Sequence, residues 1–172
     1  MIQEPETLYK LMILYMLKEV HFPLTNSQLS QFFLDKEYTT YFTLQHVLLE
    51  LTNDNLIVSR HSGSATRYEI TQGGMQTLEF FGKDISAAAV ADMDAYLQEN
   101  KFRLRSESAT TSDYYKVDSL NYNVHCEVKE GKSTLIGLDL SVPDEKQAAR
   151  ICAAWREKSQ DIYSYIIRKL SE

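Results

Sequence analysis

Leu56-Ile57-Val58-Ser59-Arg60-His61-Ser62-Gly63-Ser64-Ala65-Thr66-Arg67-Tyr68-Glu69-Ile70-Thr71-Gln72-Gly73-Gly74 has the pattern of two strands around a Gly/Ser tip, followed by a helix start. Leu56, Ile57 and Val58 begin an apolar strand, and Tyr68-Glu69-Ile70-Thr71 is the returning one. Between them Ser62-Gly63-Ser64 suits a hairpin tip, because glycine enters φ > 0 without steric cost. Arg60, His61 and Arg67 flank that tip. Gln72-Gly73-Gly74 then opens a helix, for which Thr71 is a cap.

Upstream the period changes from two to 3.6. Leu8, Leu11, Met12, Tyr15 and Met16 recur at helical spacing, widened by Leu14 and Leu17, and predict a helix from about Glu6 to Glu19. Pro23 ends it, because the residue before proline is pushed out of the α region. Thr25 or Asn26 caps a short second helix with Leu29, Phe32 and Phe33 as its apolar face, and Asp35-Lys36-Glu37-Tyr38 is the turn after it. Thr39 or Thr40 caps a third helix over Phe42, Leu44, Val47, Leu48 and Leu51, which Asn53-Asp54-Asn55 stops. Helices on both sides of a polar turn, then strand, tip, strand and helix, give the order of a winged helix-turn-helix. Placed in a major groove, the third helix offers Thr39, Thr40, Thr43, Gln45 and His46 to base edges, while Arg60, His61 and Arg67 of the wing suit phosphates or a narrow minor groove.

Tyr68-x-Ile70-Thr71-x-x-Gly74-x-x-x-Leu78 resembles the strand-to-helix junction of winged-helix regulators of the MarR and PadR type. Over residues 1 to about 80, and in the layout of the remainder, the chain is also similar to a bacterial family of predicted winged-helix transcriptional regulators that carry no established activity. That resemblance implies a DNA-binding class and supplies no catalytic or metal residues. The third helix departs from a strong DNA-binding pattern in having no Lys or Arg to grip guanine or phosphate.

Gly82-Lys83-Asp84 is the expected boundary, giving a winged-helix domain over 1–83 and an α+β domain over 84–172. Ile85 to about Glu99 reads as a helix with Ala89, Met93, Tyr96 and Leu97 inward, Ser86 as cap and Asn100 as stop. Period-two segments follow at Phe102–Arg105, Tyr114–Val117, Tyr122–Val128 and Ser133–Val142, with Glu130-Gly131-Lys132 as a hairpin turn. On the first of these, Arg103 and Arg105 share a face, an arrangement that suits an anion or simply solvent. Pro143 opens a long helix from about Asp144 to Leu170, striped by Ile151, Trp155, Ile162, Ile166 and Leu170. The fold class expected is thus α+β: a winged helix followed by a small antiparallel sheet packed with a long C-terminal helix, whose projecting part can pair two copies.

Composition bounds the rest. The chain has 172 residues, 44% of them apolar, enough to bury a core. The charge of −6 is awkward for a DNA binder, since phosphate neutralisation supplies much of the affinity, so any DNA site is a local patch. The start Met1–Glu6 is acidic and polar, unlike a secretory signal, and Leu11–Leu17 is too short to span a bilayer, so the expected location is cytoplasmic, away from membranes. Cys126 and Cys152 read as free thiols. His21, His46, His61 and His125 are scattered with no carboxylate at a suggestive spacing, Asp92 and Asp94 read as solvated acids, and Walker, G-x-G-x-x-G, C-x-x-C and H-E-x-x-H motifs are missing. No enzyme, cofactor or metal is expected. The leading expectation is a homodimeric regulator bound to double-stranded DNA. The alternative is a winged-helix protein-interaction module that does not bind DNA, and the sequence assigns no small-molecule effector.

Overall fold

Pro5 stands at the first position of α1 (Pro5–Val20), where its missing N–H would be unbonded anyway and its fixed φ is already helical. The computed structural model describes residues 4–62 and 65–172, apart from the side chains of Ser62, Phe102 and Ser108. Leu11, Met12, Ile13, Leu14, Met16 and Leu17 bury one broad face of α1, and His21 closes the helix in the left-handed conformation at φ 59°. The two-residue strand β1 (Leu24–Thr25) leads into α2 (Asn26–Asp35). Thr25 caps α2 through a capping box: its hydroxyl accepts from the Gln28 N–H at 3.1 Å, and the Gln28 side chain accepts from the Thr25 N–H at 2.9 Å. Thr40 caps α3 (Tyr41–Asn53).

Next come β2 (Ile57–Ser62) and β3 (Ala65–Ile70), which form with β1 a sheet of order β1-β3-β2. Leu24 lies opposite Tyr68 and Thr25 opposite Arg67 in the antiparallel β1–β3 pair. The expected tip residues Gly63 and Ser64 lie outside the described residues. Thr71 caps α4 (Gln72–Phe81) by accepting from the Gly74 N–H at 3.0 Å, and a 3-10 turn over Gly82–Asp84 leads to α5 (Ala87–Ala109), capped by Ser86.

The chain divides into two compact units, one of residues up to His61 with Ala65–Leu104, the other of Arg105–Glu172. This division falls later than the boundary expected at residues 83 and 84. The physical reason is that Ile85, Ala89, Met93 and Leu104 bury their side chains in the first unit's core with Phe32, Phe33, Leu44 and Leu48. Two hydroxyl-to-carboxylate hydrogen bonds pin the same helix, Tyr15 to Asp94 and Tyr38 to Asp92, each at 2.7 Å. Asp92 and Asp94 are therefore tyrosine acceptors and not merely solvated acids. Burial first, and then the Asp92 carboxylate, push the Tyr38 phenol up to about 12. Burial and Asp94 raise that of Tyr15.

The strand expected at Phe102–Arg105 is a continuation of α5. Leu104 follows Leu97 by seven residues on the buried stripe, and Asn100 donates back to the Tyr96 carbonyl at 2.8 Å instead of ending the helix. Four alternating residues are too few to outweigh that periodicity.

In the second unit β4 (Thr110–Lys116), β5 (Tyr122–Glu130) and β6 (Ser133–Val142) form an antiparallel sheet in chain order. Gly131, at φ 60°, makes the tight β5–β6 turn. Asp144 caps α6 (Glu145–Leu170) by accepting from the Gln147 N–H at 2.8 Å. Val124, Cys126, Ile136, Val142, Ala148 and Trp155 form this unit's core, with Ile151, Ile162 and Ile166 against it, and the Trp155 indole donates to the Glu127 carbonyl at 3.2 Å. Leu170, expected on the same stripe, is 81% exposed. The architecture is α+β, and among the described residues no helix is long and apolar enough to cross a membrane.

Candidate nucleic-acid interface

Leu44, Val47, Leu48 and Leu51 seat α3 on the core at helical spacing. Phe42, expected beneath the helix with them, lies two residues before Leu44 and so on the far side, 82% exposed. The outward face carries Phe42, His46, Leu49 and Asn53 at i, i+4, i+7 and i+11, with Tyr41 beside them. Tyr41 and Leu49 are not among the residues expected on this face. The signal was present, since Leu49 falls outside the stripe that buries its neighbours.

The structure separates the expected base-contacting residues. Thr40 is exposed at the α3 cap, its hydroxyl accepting from the Thr43 N–H at 3.3 Å. Thr39 and Thr43 are half-buried and line a surface depression with Glu4, Pro5, Glu6 and Tyr9. Gln45 is committed elsewhere: its amide gives a hydrogen bond to Asn26 Oδ1 at 2.9 Å and takes one from Asn26 Nδ2 at 2.6 Å. Asn26 also receives the Ser30 hydroxyl and donates to the Tyr68 hydroxyl, at 3.0 and 3.2 Å. Gln45 is thus a tie from α3 to the start of α2, not a group facing outward. His46 is exposed, with Nε2 3.5 Å from Glu50 Oε1. The Lys10 ammonium, 2.8 Å from Glu50 Oε2, holds that carboxyl below its usual range.

On the hairpin, Arg60 is exposed and only loosely paired with Glu69 at 3.7 Å. His61 is exposed, and its Nδ1 is hydrogen-bonded to the Thr66 hydroxyl at 3.0 Å. Arg67, expected beside them, differs. Its Nε and Nη1 are buried, because β3 is the central strand and Arg67 sits opposite Thr25. The groups brought to the surface of α3 and the hairpin therefore include Thr40, Tyr41, Phe42, His46, Leu49, Arg60 and His61.

Two histidines have carboxylate neighbours that the sequence reading missed. His46 and Glu50 are one helical turn apart, a spacing legible in the chain. Glu6 joins them only through the packing of α1 on α3. In the second unit β-sheet register sets His125 opposite Asp139, with Nδ1 2.9 Å from Asp139 and Nε2 3.4 Å from Glu127. The Asp139 hydrogen bond, opposed by burial and helped by Glu127, raises the His125 value. Arg103 and Arg105, expected to share a strand face, lie on helix α5 instead, where residues two apart do not. The cysteines are free, and burial pushes the Cys126 thiol up to about 11.

No curated protein and no solved structure matches the chain. Residues 9–170 match DUF4364, a domain of unknown function, and the chain belongs to that family.

Proposed function

We propose that the first unit is a winged helix-turn-helix that reads duplex DNA, with α3 as recognition helix and the β2–β3 hairpin as wing. The observation that carries this is the strand order β1-β3-β2, with β1 between α1 and α2 and the hairpin directly after α3. In such a frame Thr40 and His46 reach base edges, Tyr41 and Phe42 suit thymine methyl groups, and Arg60 and His61 meet phosphates. We further propose that the protein acts in the cytoplasm as a homodimeric regulator, paired through the end of α6, where Tyr165, Ile167 and Leu170 are exposed. Dimerisation would present two reading heads to a palindromic site.

A second reading has its own support. Phe42 and Leu49 make the open face of α3 apolar, and the chain's net charge is −6. An apolar recognition helix on an acidic chain suits a protein partner better than a polyanion. Fluorescence anisotropy with labelled duplex over a range of salt separates the two. The DNA reading expects affinity to fall steeply as salt rises, and Arg60→Glu to lower the slope by about one or more. An absence of binding even at low salt leaves the protein-docking reading.

A further inference from the structure

We propose that Glu6, His46 and Glu50 bind one divalent first-row transition-metal ion of the zinc class, linking the first turn of α1 to the outward face of α3. One ligand atom from each residue lies within 4.8 Å of the others, all three within the first unit. His46 and Glu50 are an i, i+4 pair, so both side chains leave α3 on one face, and His46 Nε2 already points at Glu50 Oε1 from 3.5 Å. Lys10 takes the other oxygen, Oε2, at 2.8 Å, and so orients the carboxylate without covering the atom that faces His46. Metal–nitrogen and metal–oxygen bonds of about 2.0–2.2 Å place two ligands of one ion about 3–4 Å apart. Rotation of the exposed His46 ring and the two glutamate side chains by roughly an ångström closes that gap.

The donor set decides the class of ion. One imidazole with two carboxylates suits zinc, cobalt, nickel or manganese, whereas magnesium and calcium prefer oxygen throughout. Two carboxylates and one lysine leave a net negative charge that attracts a divalent cation. His46 is exposed, so an ion held there keeps access to water for its remaining coordination positions. Such an ion would fix His46, one of the groups assigned above to bases, yet the site itself stands whether or not the chain binds DNA.

The test is titration of the full-length, chelator-stripped protein with Co²⁺ by absorption and with Zn²⁺ by calorimetry. The site predicts one ion per chain and cobalt ligand-field bands without a thiolate-to-cobalt charge-transfer band. His46→Ala and Glu50→Gln should each weaken binding at least about tenfold, the loss that even an outer-sphere partner produces. Lys10→Met should tighten it, since the ammonium no longer competes for Glu50. His46 is on the helix surface, so its alanine variant keeps the fold, and Glu6→Gln provides a second loss at the start of α1. Absence of saturable binding overturns the proposal. So does binding unchanged in His46→Ala, or a thiolate band, which would move the ion to Cys126 or Cys152.

Discussion

Gly74 shows how much a single position can decide. A Cβ there would run into the Leu56 carbonyl oxygen and approach Ile70 Cγ1 to 2.8 Å and Leu14 Cδ2 to 3.1 Å. The start of α4, the loop into β2 and the α1 face therefore meet where no side chain fits. Gly74→Ala should lower stability by at least about 2 kcal/mol in a denaturant melt. Gly73→Ala, whose nearest neighbours would stand at 3.7 Å, should stay within about 1 kcal/mol of the parent or exceed it, because alanine is the better helix former. Equal losses from both would contradict the close-approach account. Gly74 was legible in the chain as part of the strand-to-helix motif, because a glycine three residues after a capping threonine is a local signal. Gln45 and Arg67 were not. Both are polar residues in amphipathic elements, and nothing local tells that Asn26 takes up the first or that a central strand buries part of the second. Gln45→Ala should accordingly reduce stability, by about 1 kcal/mol, because Asn26 loses both of its hydrogen bonds to Gln45. A change in base preference at unchanged stability would return Gln45 to the reading face.

At the scale of elements, caps and register do most of the positioning. Thr25 closes both halves of the α2 capping box, and Thr25→Ala should cost about 1 kcal/mol of unfolding free energy. An unchanged melt would argue that the box adds nothing to the β1–α2 corner. In the second unit the β5–β6 register makes a titrating pair of His125 and Asp139. Because the folded value of His125 is raised, its protonated form favours the fold. That contribution is fully present below the ordinary histidine value of about 6.5 and disappears as pH rises through the raised folded value. An NMR titration should find His125 above the ordinary value, and Asp139→Asn should bring it down. The same midpoint in both proteins would show that Asp139 is not the cause. Most elements were readable from period and punctuation: α1 from its apolar stripe, α6 from Pro143 and its long stripe, and the β5–β6 hairpin from Gly131. The error at Phe102–Arg105 has a definite source, since alternation over four residues fits a strand and a helix face alike, and only the burial of Leu104 in the first core separates them.

At the scale of the whole molecule, sequence order gave the architecture but not where it divides. The break at Gly82–Asp84 looks like a linker in one dimension. In three dimensions the segment beyond it completes the first core through Ile85 and, on α5, Ala89 and Met93, which no linear pattern discloses. The reading of function rests at this scale too, because an acidic chain can hold duplex DNA only if a local surface overcomes its overall charge. On the surface of α3 and the hairpin Arg60 supplies positive charge, with His61, His46 and Thr40 as hydrogen-bonding groups, set among exposed Tyr41, Phe42 and Leu49. The most direct measurement is selection of bound sequences from a pool of random duplex DNA by the purified protein, at low and at physiological salt. A homodimeric reader of duplex DNA should enrich a palindromic site, with half-sites about one helical turn apart or a multiple of it, and Arg60→Glu should lose that enrichment. No retention of any duplex at low salt would contradict the DNA reading.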